Sequence, residues 1–223
     1  MIPTAQSAQE NCASHNGALV PVPGRDIMVQ GWYQGGVDVI DFTDPDKPFE
    51  IGFFDRGPAD ALPLIDAGPS GGTRTPPPRG TIAGSWGAYC YNGAIYSSEM
   101  SRGLDILELE PSANLPANEI AAAKLVVLEQ FNRQSQPKIT WPAAFPVVHS
   151  HLDQLVRNTG LAAARTSAID AAPTTAEKQK GEARKATLTT LATQVDADAA
   201  AAKDADRVRA MSAAIRNQAA ATK

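Results

Sequence analysis

No stretch of about 18 apolar residues occurs in the chain, so no transmembrane helix can be read from it. Cysteine is nearly absent. Cys12 and Cys90 are the two present, too few for a disulfide scaffold or a thiolate metal cluster. Positive charge is not in excess: the net charge is −4 and the pI near 5.4, which argues against a general nucleic-acid binder. Residues 1–20 hold neither a basic start nor an apolar stretch, so they carry no signal-peptide pattern. The other scarcities are local. Residues 117–223 hold 2 of the 17 glycines and 3 of the 13 aromatics.

What is present divides at Pro116. Residues 1–116 carry 15 glycines, 10 aromatics and a net charge of −8; residues 117–223 carry 28 alanines and a net of +4. Glycine and aromatics between short apolar runs suit turn-rich β-structure, and alanine without glycine suits helices. Two domains are expected, 1–116 and 117–223. With 43% hydrophobic residues over 223 positions, the chain can build a core.

In the first half, strand-like runs lie at Ala18–Val22, Ile27–Tyr33, Val37–Phe42 and Phe49–Phe54. Pro23-Gly24, Gly35-Gly36 and Asp44-Pro45 separate them. A second set follows at Gly87–Tyr91, Ala94–Ser98 and Leu104–Leu109, with the hairpin signal Asn92-Gly93 between its first two members. The expectation is seven strands in two stacked antiparallel sheets. The third strands look like copies. Gly36, Val37, Asp38, Val39, Ile40, Asp41 and Phe42 align with Gly103, Leu104, Asp105, Ile106, Leu107, Glu108 and Leu109. Both strings are apolar on both faces, as expected of a sheet packed between neighbours. The excess between copies, Gly57 to Gly80 with Pro76-Pro77-Pro78, reads as an inserted loop.

The string from Val37 to Gly52, an apolar strand, the Asp44-Pro45 turn, the further proline Pro48 and an outer strand, resembles the repeat of the LVIVD-repeat β-propellers of bacterial and archaeal surface proteins. The likeness runs from about Asn11 to Glu110, and the second copy has Glu110-Pro111 in place of the Asp-Pro turn. The resemblance implies two propeller-type blades, an incomplete β-propeller with Gly36, Asp38, Asp41, Asp44, Pro45, Gly103 and Asp105 as structural repeat residues. It also implies a cell-surface or secreted setting. Propellers close with about 4–8 blades, so the chain reads as the C-terminal part of a longer propeller protein, unable to close a ring alone. Its partners are then proteins, met through apolar blade faces or missing blades, with self-association or binding of a hydrophobic dye as the expected sign.

The second half reads as helices at Asn118–Arg133, Ser150–Ala171 and about Thr175–Ala201, then Asp204–Ala220. Gln136–Pro146 is expected to be an extended linker, and Pro173 to stop the second helix. Thr174 or Thr175 is expected to cap the third. The last three segments suggest a three-helix bundle at about 150–220 with an alanine-lined seam.

Candidate sites are few. His149, His151 and Asp153 have metal-ligand chemistry, but i, i+2 spacing on a helix splits the two histidines, and a polar helix start is favoured. Asp41, Thr43, Asp44 and Asp46 space oxygens like a calcium loop without its glycine or distal glutamate, so an Asx turn at Asp44 is favoured. Cys12 beside His15 and Asn16 lacks a positioned acid. His15-Asn16 reads as a structural element where a blade begins, with a functional role for His15 and Asn16 as the alternative, and a Cys12–Cys90 disulfide stays open. Lys178, Lys180, Arg184 and Lys185, interleaved with Glu177 and Glu182, read as a solvated face. No catalytic residue, cofactor or bound metal is expected. The leading expectation is a non-catalytic interaction or scaffold module. The alternative is a metal-assisted hydrolase in a propeller channel, with His15, Asp38 and Asp105 as its set.

Overall fold

In a computed structural model, residues 10–57, 83–132 and 138–223 are described. The architecture is two antiparallel sheets followed by five helices. The expected loop at 57–80 lies almost entirely outside the described residues. The chain forms two compact units: Met1–Val20 with Asp26–Leu109, and Pro21–Arg25 with Glu110–Lys223. The boundary therefore falls at Leu109 and not at Pro116. The five residues after β1 also belong to the helical unit, which no local pattern announces.

In the first unit, β1 (Gly17–Val20), β2 (Ile27–Gly31), β3 (Val37–Asp41) and β4 (Phe49–Phe54) form a sheet in that order. Strands β5 (Ser85–Tyr91), β6 (Ala94–Glu99) and β7 (Gly103–Leu107) form the other. All seven strands lie where the alternation places them. Asn92 and Gly93 take φ of 47° and 86° at the hairpin, as a type I′ turn requires. Alternation directs Ala18, Val20, Ile27, Val29, Val37 and Val39 to one face of the first sheet. Ala88, Cys90, Ile95, Ser97 and Asp105 share one face of the second. These faces are buried and pack on each other through β1, β2, β3 and β5. Burying a side chain such as Ile27 is worth about 1.5–3 kcal/mol. Gly31 permits the approach: a Cβ there would lie 2.8 Å from Ser85 O and 3.1 Å from Gly87 Cα.

In the second unit, α1 is Ala117–Lys124, α2 Phe145–Arg157, α3 Ala163–Lys178, α4 Gly181–Asp198 and α5 Ala205–Ala221. Several boundaries correct the expectation. Helix α1 ends at Lys124, so Leu128 and Phe131 lie beyond it. The propensity of the alanine run stops at β-branched Val126-Val127. Helix α2 begins at Phe145, inside the expected linker, because Pro146 in the first turn has no N–H to leave unsatisfied. The expected Ser150–Ala171 helix is two helices, broken where Asn158 Oδ1 accepts from Gly160 N at 2.7 Å. Pro173 sits buried inside α3 and does not stop it. Ile169, Pro173 and Ala176 are all buried on that helix, and tertiary packing outweighs the missing hydrogen bond. Thr174 and Thr175 do not cap a helix. Their hydroxyls donate to Asp170 O and Ala171 O, one turn back. Asp204 does cap α5, accepting from Arg207 N at 3.0 Å. The region about 150–220 thus holds four helices rather than three, around Leu155, Ile169, Leu188, Val195, Met211 and Ile215.

Candidate functional site

The first unit's candidate residues are set by the pleat. In β3, Asp38 and Ile40 lie on the face turned away from the second sheet, and Val37 and Val39 on the face turned toward it. In β7 the same motif is reversed: Asp105 faces the first sheet, and Leu104 and Ile106 face away. The two sheets therefore stack head to tail, with equivalent residues pointing in the same direction along the stack. The consequence for charge is direct. Arg56, just after β4 of the first sheet, forms an ion pair with buried Asp105 of the second. Asp38, the equivalent carboxylate, is fully buried and has no hydrogen bond of normal geometry to either oxygen. Burial, reinforced by the Glu50 carboxylate, pushes its pKa up to about 6.

Glu99 holds the edge of this region. Its carboxylate accepts from Gly84 N, from Ser101 N at 3.1 Å and from Arg102 N. Burial works to raise its pKa, but these bonds and the Arg102 guanidinium hold it below the usual carboxylate range. Arg102 donates onward to Gly57 O. Arg56, Arg102, Glu99, Asp105 and Tyr33 surround a cavity of about 10 Å³, the space of one water. Its charges are spent on one another, so no open anion or cation site results. Sequence reasoning passed over Glu99; the available signal was a lone acid two residues before a Ser-Arg-Gly turn.

His15-Asn16 joins the two sheets. His15 N donates to Gly31 O at 2.7 Å, and Asn16 O accepts from Gly31 N at 3.0 Å and Ala88 N at 3.1 Å. His15 Nδ1 lies 2.6 Å from Trp86 O, and its ring packs at a tilt against Trp86 and Tyr33, at 4.3 and 5.0 Å between centroids. These contacts tie His15 and Asn16 to the backbone and rings of both sheets. His15, Asp38 and Asp105 do not converge: Asp38 and Asp105 lie on opposite sides of the sheet-to-sheet interface, and Asp105 is held by Arg56.

The turn Asp41–Asp46 is an Asx structure. Asp44 Oδ1 accepts from Asp46 N at 3.1 Å, and Asp41 Oδ1 accepts from Thr43 N at 2.9 Å and Thr43 Oγ1 at 2.6 Å. Cys12 and Cys90 are both free thiols. Burial pushes the Cys90 thiol up to about 11, which removes nucleophilic character at neutral pH.

In the second unit, α2 separates its ionisable residues. His149 Nε2 lies 3.0 Å from Glu177 Oε1. Asp153 accepts from Asn118 Nδ2 at 3.1 Å. His151 is buried with Nδ1 unpartnered, and burial, aided by the nearby Arg207 charge, lowers its pKa to about 4. Among the described residues, no group of three or more His, Cys, Asp or Glu could hold a metal ion. Glu119 was not foreseen. It is fully buried and ion-paired by Arg25 and by Arg157, the latter at 3.0 Å. Around it, Trp141 Nε1 donates to Pro21 O at 2.8 Å and Gln154 Nε2 to Pro23 O at 3.0 Å, satisfying the Pro21–Arg25 backbone. The basic cluster also differs from a plain solvated face. Arg184 donates to Ala176 O and Glu177 O at the end of α3 and lies over the Phe145 ring at 5.6 Å. Lys185 and Glu182 do form an exposed pair at 3.8 Å. Among the described residues, no helix is long and apolar enough to cross a membrane.

No family model, curated protein or solved structure matches the chain.

Proposed function

We propose that the chain is a non-catalytic interaction module built from two propeller-type blades of the LVIVD kind and a small helical bundle, α2–α5, acting as part of a larger protein assembly. One observation carries this reading. Leu104 and Ile106 are 60% and 62% exposed, although their repeat equivalents Val37 and Val39 are 2% and 6% exposed beneath the neighbouring sheet. An apolar sheet face that is covered in one copy of a repeat and bare in the next supports a surface meant for contact with protein. The buried carboxylates favour this reading over the hydrolase, since Asp105 is neutralised by Arg56 and Asp38 lies on the far side of its sheet. The resemblance to the LVIVD-repeat propellers supports a cell-surface setting for such a module. Sedimentation of the purified chain with a hydrophobic dye tests the proposal. Association or dye binding is expected. A compact monomer that leaves the dye dark overturns it.

A further inference from the structure

The two sheets do not meet as mirror images, and that asymmetry says what fits the bare face. The Val37/Val39 face of the first sheet packs on the second sheet through β5, the second sheet's first strand. In the second sheet, Leu104 and Ile106 occupy the positions of Val37 and Val39. Tyr96 pairs with Ile106 and Tyr89 with Tyr96, so an apolar row crosses the whole sheet. By repetition, this face calls for the first strand of another sheet, presenting the face opposite the one already used. The chain carries such a face. It is the outer side of the first sheet, where β1 takes the place that β5 has in the second. Leu19 of β1 is 51% exposed there and Phe53 of β4 74% exposed, on either side of buried Asp38 and Ile40.

We infer that a second copy of this chain docks head to tail, the Leu104/Ile106 face of one copy against the Leu19/Phe53 face of the next, continuing the sheet-to-sheet interface already formed inside each chain. The inference rests on the interaction-module reading and names its partner. Such an interface is heterologous: after pairing, one copy keeps a free Leu104/Ile106 face and the other a free Leu19/Phe53 face, so association runs on until a ring closes. Within the chain, the established interface supplies the template for the junction: a β-branched face against a first strand, with the pleat keeping one direction. The Leu104/Ile106 face is apolar and exposed, and the Leu19/Phe53 face offers exposed apolar side chains on either side of a covered centre of Asp38 and Ile40, so burial of those side chains drives the contact.

The full-length chain and two variants test this. Ile106→Lys spoils one face and Leu19→Lys the other, and both side chains are largely exposed, so the fold should survive. Phe53→Lys is a second variant of the Leu19 face, and circular dichroism checks each. Sedimentation equilibrium of the parent chain is expected to show species larger than a monomer. Each variant alone is expected to be monomeric, because each has lost one half of the only complementary pair. An equimolar mixture of Ile106→Lys and Leu19→Lys should recover a 1:1 dimer that grows no further, because one intact junction remains between the two. A two-fold contact through a single face cannot give that result. A monomeric parent chain overturns the inference, as does an associating parent whose mixed variants stay monomeric. Dye binding by a monomeric parent then shows that the interaction reading survives with another partner, and a dark monomer overturns both.

Discussion

Asp38 and Asp105 stand at the same position of the same strand motif, one in each sheet, and meet opposite fates. Asp105 faces the neighbouring sheet and is neutralised by Arg56. Asp38 faces away, is fully buried, and among the described residues neither of its oxygens has a hydrogen-bond partner. The motif is thus not self-sufficient. Its aspartate is stable when a preceding sheet supplies an arginine, and destabilising when none does. The helical unit shows the third solution, in which Glu119 is enclosed by two arginines. Three buried carboxylates with two, one and, among the described side chains, no cationic partner make a graded series, and substitutions along it test whether partner number sets stability.

The largest effect is expected at Glu119. Glu119→Gln keeps the shape and leaves Arg25, nearly devoid of solvent, and Arg157 without their anion. Breaking a buried pair from one side costs about 3–5 kcal/mol. Urea unfolding followed by Trp141 fluorescence, which reports on the second unit, should show that loss. A change under 1 kcal/mol would mean that the arginines find solvent or another carboxylate, and the graded series would fail.

Next in size is a pH response that separates the two units. His151 is held near 4 in the folded state, against 6.5 for the free side chain. The unfolded chain binds the proton first as pH falls, so this group's contribution is full above pH 6.5 and declines toward pH 4, by about 3 kcal/mol in all. Asp38 acts in the opposite direction over nearly the same window. Its folded pKa of about 6 exceeds the ordinary 3.8, so its destabilising charge is present above pH 6 and disappears toward pH 4. Between pH 6 and 4 the first unit should gain from Asp38 while the second loses from His151. Amide exchange resolved by residue would read both slopes. His151→Gln should flatten the second alone, and parallel slopes in parent and variant would refute the assignment.

These contrasts mark where sequence reasoning reaches its limit. Strands were legible because alternation, Asn92-Gly93 and the Gly36/Gly103 repeat are local, and a pleat fixes which neighbours share a face. The Asx turn at Asp44 was legible for the same reason. The helix boundaries were less so. Asn158-Thr159-Gly160 is a readable C-terminal signal, but an apolar spacing continuing toward Ile169 suggested one helix across it. Pro173 shows packing overriding a breaker. The Arg25–Glu119 pair spans 94 positions, and nothing local in Pro21–Arg25 says that it belongs with the helices. The repeat identified Asp38 and Asp105 as equivalents. Only the stacking direction reveals that one has Arg56 beside it and that the other has, among the described residues, no such arginine.

The smallest effects are the most discriminating, because their signs differ. Asp38→Asn removes a carboxylate whose ionisation opposes folding at pH 7. The amide keeps the shape and carries no charge, so the variant should be more stable by about 2 kcal/mol at pH 7 and nearly unchanged at pH 4. Asp105→Asn, the same substitution at the equivalent position, removes an anion that a cation already satisfies. Arg56 is about one-third exposed, so water takes over part of its solvation and the loss should be only about 1 kcal/mol. Trp32 and Trp86 lie in the first unit and report its unfolding. Two substitutions identical in chemistry and repeat position would then shift the same transition in opposite directions. If both destabilise, Asp38 has a donor at neutral pH and its high pKa has another origin. If both stabilise, the Arg56–Asp105 pair costs more in desolvation than it returns, and the head-to-tail stack is held by its apolar faces alone.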